Sequence, residues 1–239
     1  MQINAYPFPS ALSEKQYFQK TVIVVDILRA TTTMLTALEN GATQVIPVRE
    51  PQEAMAFISQ LGRKDSLLAG ESGGLKINGF DLGNSPLEFE HKVVKGKNVV
   101  MCTTNGTGAI HAARAARRVM IGCLRNRTAV ARAAITAGND IILLCAGTKS
   151  EASMDDMVAV GGIYRALQGC AQTPVACNDF LRVCGVVYDL WAKGSDELAQ
   201  STHYQTLVSL GFQADIDFCL MQDQSDYAPL YDNGSLRLQ

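Results

Sequence analysis

The sequence has little of what marks several large classes of protein. Its 21 Lys and Arg residues are outnumbered by 23 Asp and Glu residues, and the formal net charge is −2 at pH 7. It therefore lacks the basic excess typical of proteins that bind nucleic acid or anionic membranes. The longest apolar runs have the length of strands and are too short to cross a membrane. Residues 1–20 carry no basic stretch followed by an apolar run, so we expect no signal peptide and a cytoplasmic protein.

Paired cysteines and the spacings typical of zinc sites are also missing. The chain has 7 cysteines and 3 histidines, but neither a Cys-x-x-Cys pair nor a His-x-x-x-His pair, so a zinc site is not expected. Most of the cysteines lie in apolar surroundings, as reduced core residues of a cytosolic protein do. His91, His111 and His203 are interpreted as surface or structural residues.

Several motifs that handle phosphate or nucleotides are absent. No arginine stands six residues after Cys102 or Cys145, which excludes a phosphatase loop with a cysteine nucleophile. Asp26 has no second aspartate two residues later, which speaks against phosphatases of the D-x-D type. The stretch G-T-K-S at residues 147–150 is not a Walker loop, because its lysine does not follow a glycine. No G-x-G-x-x-G follows a predicted strand, so dinucleotide binding is disfavoured.

What is present is the pattern of an α/β protein. Hydrophobic residues make up 47% of the 239 residues and charged residues 18%, which is a globular composition with a substantial core. Apolar, β-branched runs alternate with helical patterns. This alternation predicts a layered α/β/α fold with a largely parallel or mixed sheet. We expect a single domain over residues 1–239, less regular from about residue 170. The predicted helices include three that begin at Met34, His111 and Met157 and one over residues 195–210, and a short strand is predicted at residues 216–219.

A strand, a polar turn and a helix follow one another three times, after Val25, Met101 and Leu144. The first two units share a Thr-Thr element, which suggests internal duplication of a βα unit. Because ligands of parallel sheets bind beyond the carboxyl ends of the strands, we expect the three turns to face one crevice. A polar loop at residues 70–86 contains five glycines, and so long a loop in a compact domain is typically functional.

The turns and the loop would bring carboxylates, hydroxyls, amides and cations together. Carboxylates without histidine suit Mg²⁺, whereas arginine, hydroxyls and helix-terminal N–H groups suit a phosphate. The predicted metal ligands are Asp26, Glu71, Asp81, Asp155 and Asp156. The predicted catalytic residues are Asp26, Arg29 and Asp156. The residues predicted to bind substrate are Thr31, Thr32, Asn84, Ser85, Thr103, Thr104, Asn105, Gly106, Thr107 and Lys149.

Each of these residues also has a structural interpretation. Asp26 would serve equally well as a helix cap or as a core partner for Arg29. Asp155 and Asp156 would equally well complement a helix dipole. Taken singly, the structural interpretation is as good as the functional one. Their joint placement at three strand ends favours a site for metal-assisted phosphoryl transfer to water.

Four motifs in this order resemble the 2-phosphosulfolactate phosphatase family. They are V-V-D-I-L-R-A-T-T-T, G-F-D-L-G-N-S-P, T-T-N-G-T and D-D-M-V-A-V-G-G-I, with further similarity in S-T-H-Y-Q-T-L and G-F-Q-A-D-I-D near the C-terminus. The resemblance implies a Mg²⁺-dependent acid phosphatase with an α/β fold particular to that family. It would convert 2-phospho-3-sulfolactate into sulfolactate and phosphate, a step of coenzyme M biosynthesis.

Two alternatives stand beside this hypothesis. One is a non-catalytic anion-binding module on the same fold, and the other is a phosphatase for a different phosphorylated acid. No residue has the pattern of a nucleophile, so we expect direct attack by water, with Cys102 pointing into the core. A small anionic substrate is the expected partner, together with a second copy of the chain in a homodimer, because dimers are the commonest oligomers.

Overall fold

The computed structural model describes residues 1–172 and 174–238, and within them eleven strands form one sheet. The strands are β1 (Gln2–Tyr6), β2 (Thr21–Val25), β3 (Gln44–Val48), β4 (Ser66–Ser72), β5 (Leu75–Lys76), β6 (Asn98–Cys102), β7 (Arg118–Gly122), β8 (Ile141–Cys145), β9 (Ala176–Cys177), β10 (Leu230–Asp232) and β11 (Ser235–Arg237). Every residue of β2 and β8 is buried, as expected for strands covered on both faces.

Ten α-helices lie in the described part of the chain. They are α1 (Glu14–Tyr17), α2 (Ala30–Glu39), α3 (Pro51–Leu61), α4 (His91–Val94), α5 (Gly106–Ala112), α6 (Arg127–Ala137), α7 (Met154–Cys170), α8 (Asp179–Ala192), α9 (Thr202–Ser209) and α10 (Gln213–Cys219). Residue 138, a glycine, has φ 71° and ends α6, which is the usual role of glycine after a helix.

The strands follow the order β5-β4-β6-β3-β11-β10-β7-β2-β8-β1-β9. Strands β4, β6 and β3 are parallel and, with β5, form what we call the first half-sheet. Strands β7, β2, β8, β1 and β9 are also parallel and form the second half-sheet. The hairpin of β10 and β11 is antiparallel and joins the two. The sheet is therefore mixed but largely parallel, which confirms the predicted α/β class.

Each of the first two predicted strand–turn–helix units starts in one half-sheet and leads to a strand in the other. Strand β2 lies in the second half-sheet and leads through α2 to β3 in the first. Strand β6 lies in the first and leads through α5 to β7 in the second. Each unit thus begins beside the end of the other, β2 next to β7 and β6 next to β3. The two units therefore occupy equivalent places in the two half-sheets.

The sheet curls so that the carboxyl ends of the half-sheets meet. Strands β6 and β2 are five positions apart, or about 24 Å in a flat sheet. Yet a Cβ atom added to Gly106, after β6, would lie 2.6 Å from Cβ of Ala30 and 2.7 Å from Oδ2 of Asp26, after β2. Only glycine permits so close an approach. The crevice is therefore formed between two half-sheets rather than along one row of neighbouring strands.

Three segments differ in kind from the prediction. Residues 216–219, predicted as a strand, lie in α10, because a segment of four residues with three apolar ones cannot distinguish a strand from a buried helix. Residues 195–210, predicted as one helix, form α9 preceded by a 3₁₀ turn at Leu198–Gln200. Strand β1 was not predicted. Its alternating residues carry only a weak strand pattern, and it gains stability by pairing with β8.

Three helices begin earlier than the sequence pattern predicts. Helix α2 begins at Ala30 instead of Met34, α5 at Gly106 instead of His111, and α7 at Met154 instead of Met157. Polar residues predicted to lie in turns therefore occupy first helical turns. Their backbone N–H groups are held in the direction of the helix axes, at the edge where the strands end.

The interior consists of one large apolar cluster and a smaller one around β3, β4, β6 and α3. All seven cysteines are unpaired, as predicted for reduced core residues. Cys102 belongs to the smaller cluster and is 4% exposed. Within the described residues, no helix is both long enough and apolar enough to cross a membrane.

Candidate active site

The turn after β2 positions the buried carboxylate of Asp26. Its backbone N–H donates to Thr31 Oγ1 over 3.1 Å, and its Oδ1 accepts the N–H of Ala30 over 3.3 Å. Asp26 therefore caps α2, as one interpretation of the sequence proposed. Its Oδ2 has no hydrogen-bond partner among the described residues and lies beside Gly106. One carboxylate oxygen is thus held by the fold while the other is left available.

The pKa of Asp26 is raised from 3.8 to about 7. Burial is the largest cause, and the nearby carboxylates of Asp155 and Glu71 raise the pKa further. His203 and the N–H of Ala30 act in the opposite direction without cancelling these effects. Titratable groups perturbed by burial and by like charges cluster at functional sites. A cation placed beside Asp26 would favour its ionised form.

The adjacent residues Asp155 and Asp156, both in the first turn of α7, differ in their contacts. Asp156 accepts the N–H of Ile27 over 3.1 Å and the N–H of Gly147 over 3.0 Å. It ties the turns after β2 and β8 together and is 2% exposed. Asp155 instead accepts the hydroxyl of Ser153 over 2.7 Å and faces the crevice. Asp155 is as buried as Asp156, but it lines the cavity, whereas Asp156 serves as a brace between the two turns.

His203, at the beginning of α9, is the site residue that sequence reasoning missed. Its Nδ1 lies 3.1 Å from Oδ2 of Asp155, and its side chain is 25% exposed. Burial lowers the pKa of His203, but the hydrogen bond to Asp155 and the charges of Asp26 and Glu71 outweigh it, so the net shift is upward. No metal-ligand or catalytic spacing marks this histidine, since its partner lies 48 positions away in the chain. Its place in the S-T-H-Y-Q-T-L stretch, which resembles the family, was the one sequence signal for it.

The turn after β6 is partly occupied by a carboxylate from the end of β4, which extends to Ser72 and so into the segment predicted as the polar loop. Glu71 accepts the N–H of Thr104 over 2.8 Å and the N–H of Gly74 over 2.8 Å. Thr103 and Thr107 are satisfied by each other, through two bonds between a backbone N–H and a hydroxyl. The donors predicted to seat an anion therefore hold Glu71, which brings a further negative charge to the crevice.

Arg29 belongs to a buried network beside the crevice. Its guanidinium pairs with Asp215 of α10, donates to the carbonyl of Gly74 over 2.9 Å and lies 4.0 Å from the ring centre of Phe212. Asp215 also accepts the hydroxyl of Ser85 over 2.7 Å. The core partner of Arg29 is therefore Asp215 and not Asp26. The network fixes the polar loop and α10 against the turn after β2.

These elements enclose a cavity of about 670 Å³. Eight of the predicted site residues line it: Asp26, Arg29, Glu71, Asn84, Thr104, Asn105, Lys149 and Asp155. Eight others lie outside the lining: Thr31, Thr32, Asp81, Ser85, Thr103, Gly106, Thr107 and Asp156. The hydroxyls of Thr31 and Thr32 bond backbone carbonyls, and Asp81 is held by a two-pronged pair with Arg63.

Two unsatisfied polar atoms lie in residues of the cavity wall. Oδ1 of Asn84 and Oγ of Ser201 are buried and have no hydrogen-bond partner among the described residues. Buried polar groups are nearly always satisfied, and exceptions often mark a place that a ligand or ion completes. The two atoms come from the polar loop and from the residue before α9, so two separate elements of the cavity wall share this property.

The charge of the cavity is compatible with a magnesium site. Four acidic residues line the cavity, namely Asp26, Glu71, Glu151 and Asp155, against Arg29, Lys149 and His203. Among the described residues, no three Asp, Glu, His or Cys side chains converge to hold an ion by themselves. Mg²⁺ does not require this, since it typically takes one or two carboxylates, substrate phosphate oxygens and water. The hard oxygen donors present therefore fit that ion.

The fold and the cavity define an α/β protein with an acidic site at the carboxyl ends of parallel strands. The family model of 2-phosphosulpholactate phosphatase matches residues 6–234. The chain belongs to the 2-phosphosulfolactate phosphatase family, a family of phosphoric monoester hydrolases, and the resemblance stated from the sequence motifs is confirmed.

Curated relatives cover almost the whole chain. A protein of Caldanaerobacter subterraneus subsp. tengcongensis is 38% identical over 238 residues, 99% of this chain and 98% of its own length. One from Clostridium novyi is 38% identical over 229 residues, 96% of each chain. One from Clostridium acetobutylicum is 36% identical over 236 residues, 99% of this chain and 100% of its own. Each is named "Probable 2-phosphosulfolactate phosphatase".

Proposed function

We propose that this protein hydrolyses 2-phospho-3-sulfolactate to sulfolactate and phosphate in a Mg²⁺-dependent reaction. The observation that carries the proposal is the acidic cavity in which Asp26 presents a free carboxylate oxygen next to the Asp155–His203 pair. Membership of the family and the names of the relatives support the choice of substrate. The reaction would be the step of coenzyme M biosynthesis that the family resemblance implies.

The need for a divalent cation follows from charge. The substrate carries a phosphate, a carboxylate and a sulfonate, and the cavity lining itself has more acidic than basic residues. We assign Asp26 as the main metal ligand, with Glu71 or Asp155 as the second. When bound, Mg²⁺ neutralises phosphoryl oxygens and makes the phosphorus atom easier for water to attack. Proton competition at Asp26, whose pKa is raised to about 7, would weaken cation binding in acid.

His203 is the proton donor to the leaving group in this proposal. Water would add to phosphorus as the bond between phosphorus and the bridging oxygen breaks, and the proton that the water gives up would remain on the phosphate product. The bridging oxygen would leave as the hydroxyl of sulfolactate by taking a proton from the imidazolium of His203, which solvent then reprotonates. The bond to Asp155 orients the imidazole through Nδ1, which leaves Nε2 for the substrate. The same bond favours the protonated ring, as a general acid requires near neutral pH.

The remaining polar groups of the cavity are assigned to substrate binding. Lys149, from the loop after β8, supplies a positive charge for the carboxylate or the sulfonate. Asn84 offers a side-chain amide. Thr104 becomes a donor to the phosphate only if Glu71 releases its N–H group, so we expect that bond to open when substrate and cation bind. Arg29 acts through its contact with Gly74, which holds the polar loop in place.

The test is release of phosphate from synthetic 2-phosphosulfolactate by purified protein, with added Mg²⁺ and after treatment with EDTA. We expect turnover that EDTA abolishes and Mg²⁺ restores. Full activity in EDTA would contradict the role of the metal. If phosphate is released only from other phosphorylated 2-hydroxy acids, the substrate assignment is wrong. If phosphate stabilises the protein without any turnover, the chain is an anion-binding module instead.

A further inference from the structure

Helix α8 has one face in the core and one face in solvent. Its inner face carries Leu181, Cys184 and Tyr188, all buried. It packs closely on α7, because a Cβ atom added to Gly161 would lie only 2.1 Å from the carbonyl oxygen of Cys184. The orientation of α8 is therefore fixed, and the exposure of its outer face does not come from a loosely held helix.

The outer face of α8 is apolar at its centre. Val183, Val186 and Leu190 are 49%, 56% and 53% exposed, and they supply three of the exposed large hydrophobic side chains in the described residues. At about 100° per residue, the three project within an arc of about 60°. Single exposed aliphatic residues are ordinary, but a contiguous stripe of them typically marks an interaction surface.

Charged residues are placed symmetrically about the centre of this stripe. Asp179 stands seven residues before Val186, and Lys193 seven residues after it. Both are exposed, and both project on the same side as the stripe at 100° per residue. The face therefore has a negative end, an apolar middle and a positive end. Arg182 lies on the edge of the same face and is also exposed.

We propose that this face binds the same face of a second copy of the chain, with the two α8 helices antiparallel across a two-fold axis at Val186. That geometry places Asp179 of each copy opposite Lys193 of the other and stacks the apolar stripes. A two-fold contact requires a surface that is complementary to itself, as this one is. A parallel pairing would instead bring Asp179 against Asp179, which like-charge repulsion disfavours.

The charges, and not the apolar stripe alone, indicate that the partner of this face is a second copy of the chain. Asp179 and Lys193 are about 21 Å apart along one helix, so they cannot pair within a copy. The face of one 14-residue helix is smaller than the roughly 800 Å² per partner of a stable interface, even with its flanks. We therefore expect a dimer that dissociates on dilution, which light scattering over a concentration series would show.

The experiment uses the full chain and two charge reversals. Light scattering after gel filtration is expected to give twice the chain mass for the wild type at high concentration. Asp179→Lys alone and Lys193→Asp alone should each be monomeric, because each creates two repulsive pairs. A mixture of the two variants should form a heterodimer with both pairs attractive, and the double variant should recover the homodimer. Circular dichroism checks that every variant keeps its helix content.

Val186→Glu is the apolar test and Met55→Glu its matched control. Met55 lies on α3 and is 53% exposed, close to the value for Val186. We expect Val186→Glu to be monomeric with unchanged phosphatase activity per chain, and Met55→Glu to remain dimeric. A wild type that is monomeric at every concentration, a Val186→Glu variant that stays dimeric, or a charge-reversed mixture that fails to associate would each overturn the proposal.

Discussion

Two neighbouring groups of charged residues meet at the turn after β2, and they differ in whether their charges are balanced by partners within the protein. In the acidic cavity, Asp26 keeps one oxygen free and lies among other carboxylates that raise its pKa. In the buried network, Arg29 and Asp215 satisfy each other, and Ser85 and Gly74 complete the shell. The acidic cavity is electrostatically unfavourable until a cation binds, whereas the charges and hydrogen bonds of the buried network are already satisfied. The comparison separates the residues that we propose perform the chemistry from those that hold them in place.

The largest expected effect comes from removing the free carboxylate. Asp26→Asn should lower kcat by about 10³-fold or more, a loss comparable to removing a key electrostatic group from an active site. The same substitution should raise the free energy of unfolding, because ionising the buried Asp26 carboxyl in the folded state costs free energy. Its pKa lies at about 7 instead of 3.8, so in EDTA the wild type loses stability as the pH rises from about 4 to about 7, by an amount on the order of 3 kcal/mol.

Thermal melts of the two proteins in EDTA at pH 5 and pH 8 check this sign. Asp26→Asn should melt at a higher temperature than the wild type at pH 8, and the advantage should shrink at pH 5. If Asp26→Asn has a lower melting temperature than the wild type at both pH values, the carboxylate stabilises the fold. The proposed difference between the acidic cavity and the buried network would then be wrong.

The second prediction concerns the residue that the sequence did not reveal. His203→Asn should lower kcat by about 10²-fold on an alkyl phosphate, within the usual contribution of a general acid. An aryl phosphate with a good leaving group does not need protonation, so the loss on such an ester should be much smaller. Steady-state kinetics on both esters test this, with the exposed His91→Asn as control. An equal loss on both would assign His203 to binding instead.

Breaking the complete network should act mainly on stability. Asp215→Ala leaves the Arg29 charge buried without its partner and should lower the free energy of unfolding by about 3–5 kcal/mol. The matched control is Asp81→Ala, which breaks the partly exposed pair with Arg63 and should cost about 1 kcal/mol. Urea denaturation measures both. Equal losses would remove the distinction between the buried and the exposed pair.

The smallest effect is expected at Cys102. Its sulfur lies 3.5 Å from the carbonyl of Arg49 and outside the cavity lining. Burial and the nearby Glu50, Glu71 and Glu53 carboxylates raise the pKa of the thiol to about 11. Cys102→Ser should therefore keep kcat within about twofold of the wild type, since only a thiolate is an effective nucleophile. A large loss of turnover in a folded variant would assign a catalytic role to this cysteine.

The fold was more predictable than the site, for physical reasons. The strands β2, β6 and β8 and the turns after them followed from apolar runs that end in polar residues, which is local information. The difference between Asp155 and Asp156 was not local: it depends on which carboxylate meets the N–H groups of Ile27 and Gly147. His203 likewise meets Asp155 only when α9 folds back over the crevice. The contacts of the candidate site join side chains that lie far apart in sequence, and residue spacing alone does not predict such contacts.

The hairpin of β10 and β11 has a consequence for how the chain is made. It provides the only strand pairing between the two half-sheets within the described sheet order, and it spans residues 230–237. During synthesis, β3 and β7 emerge from the ribosome long before the hairpin does. Until the hairpin is made, the edges of β3 and β7 that pair with it stay unpaired. Exposed strand edges invite pairing with other chains. Nascent protein stalled before residue 230 should therefore depend on chaperones, although all of the residues proposed for its active site have already been translated.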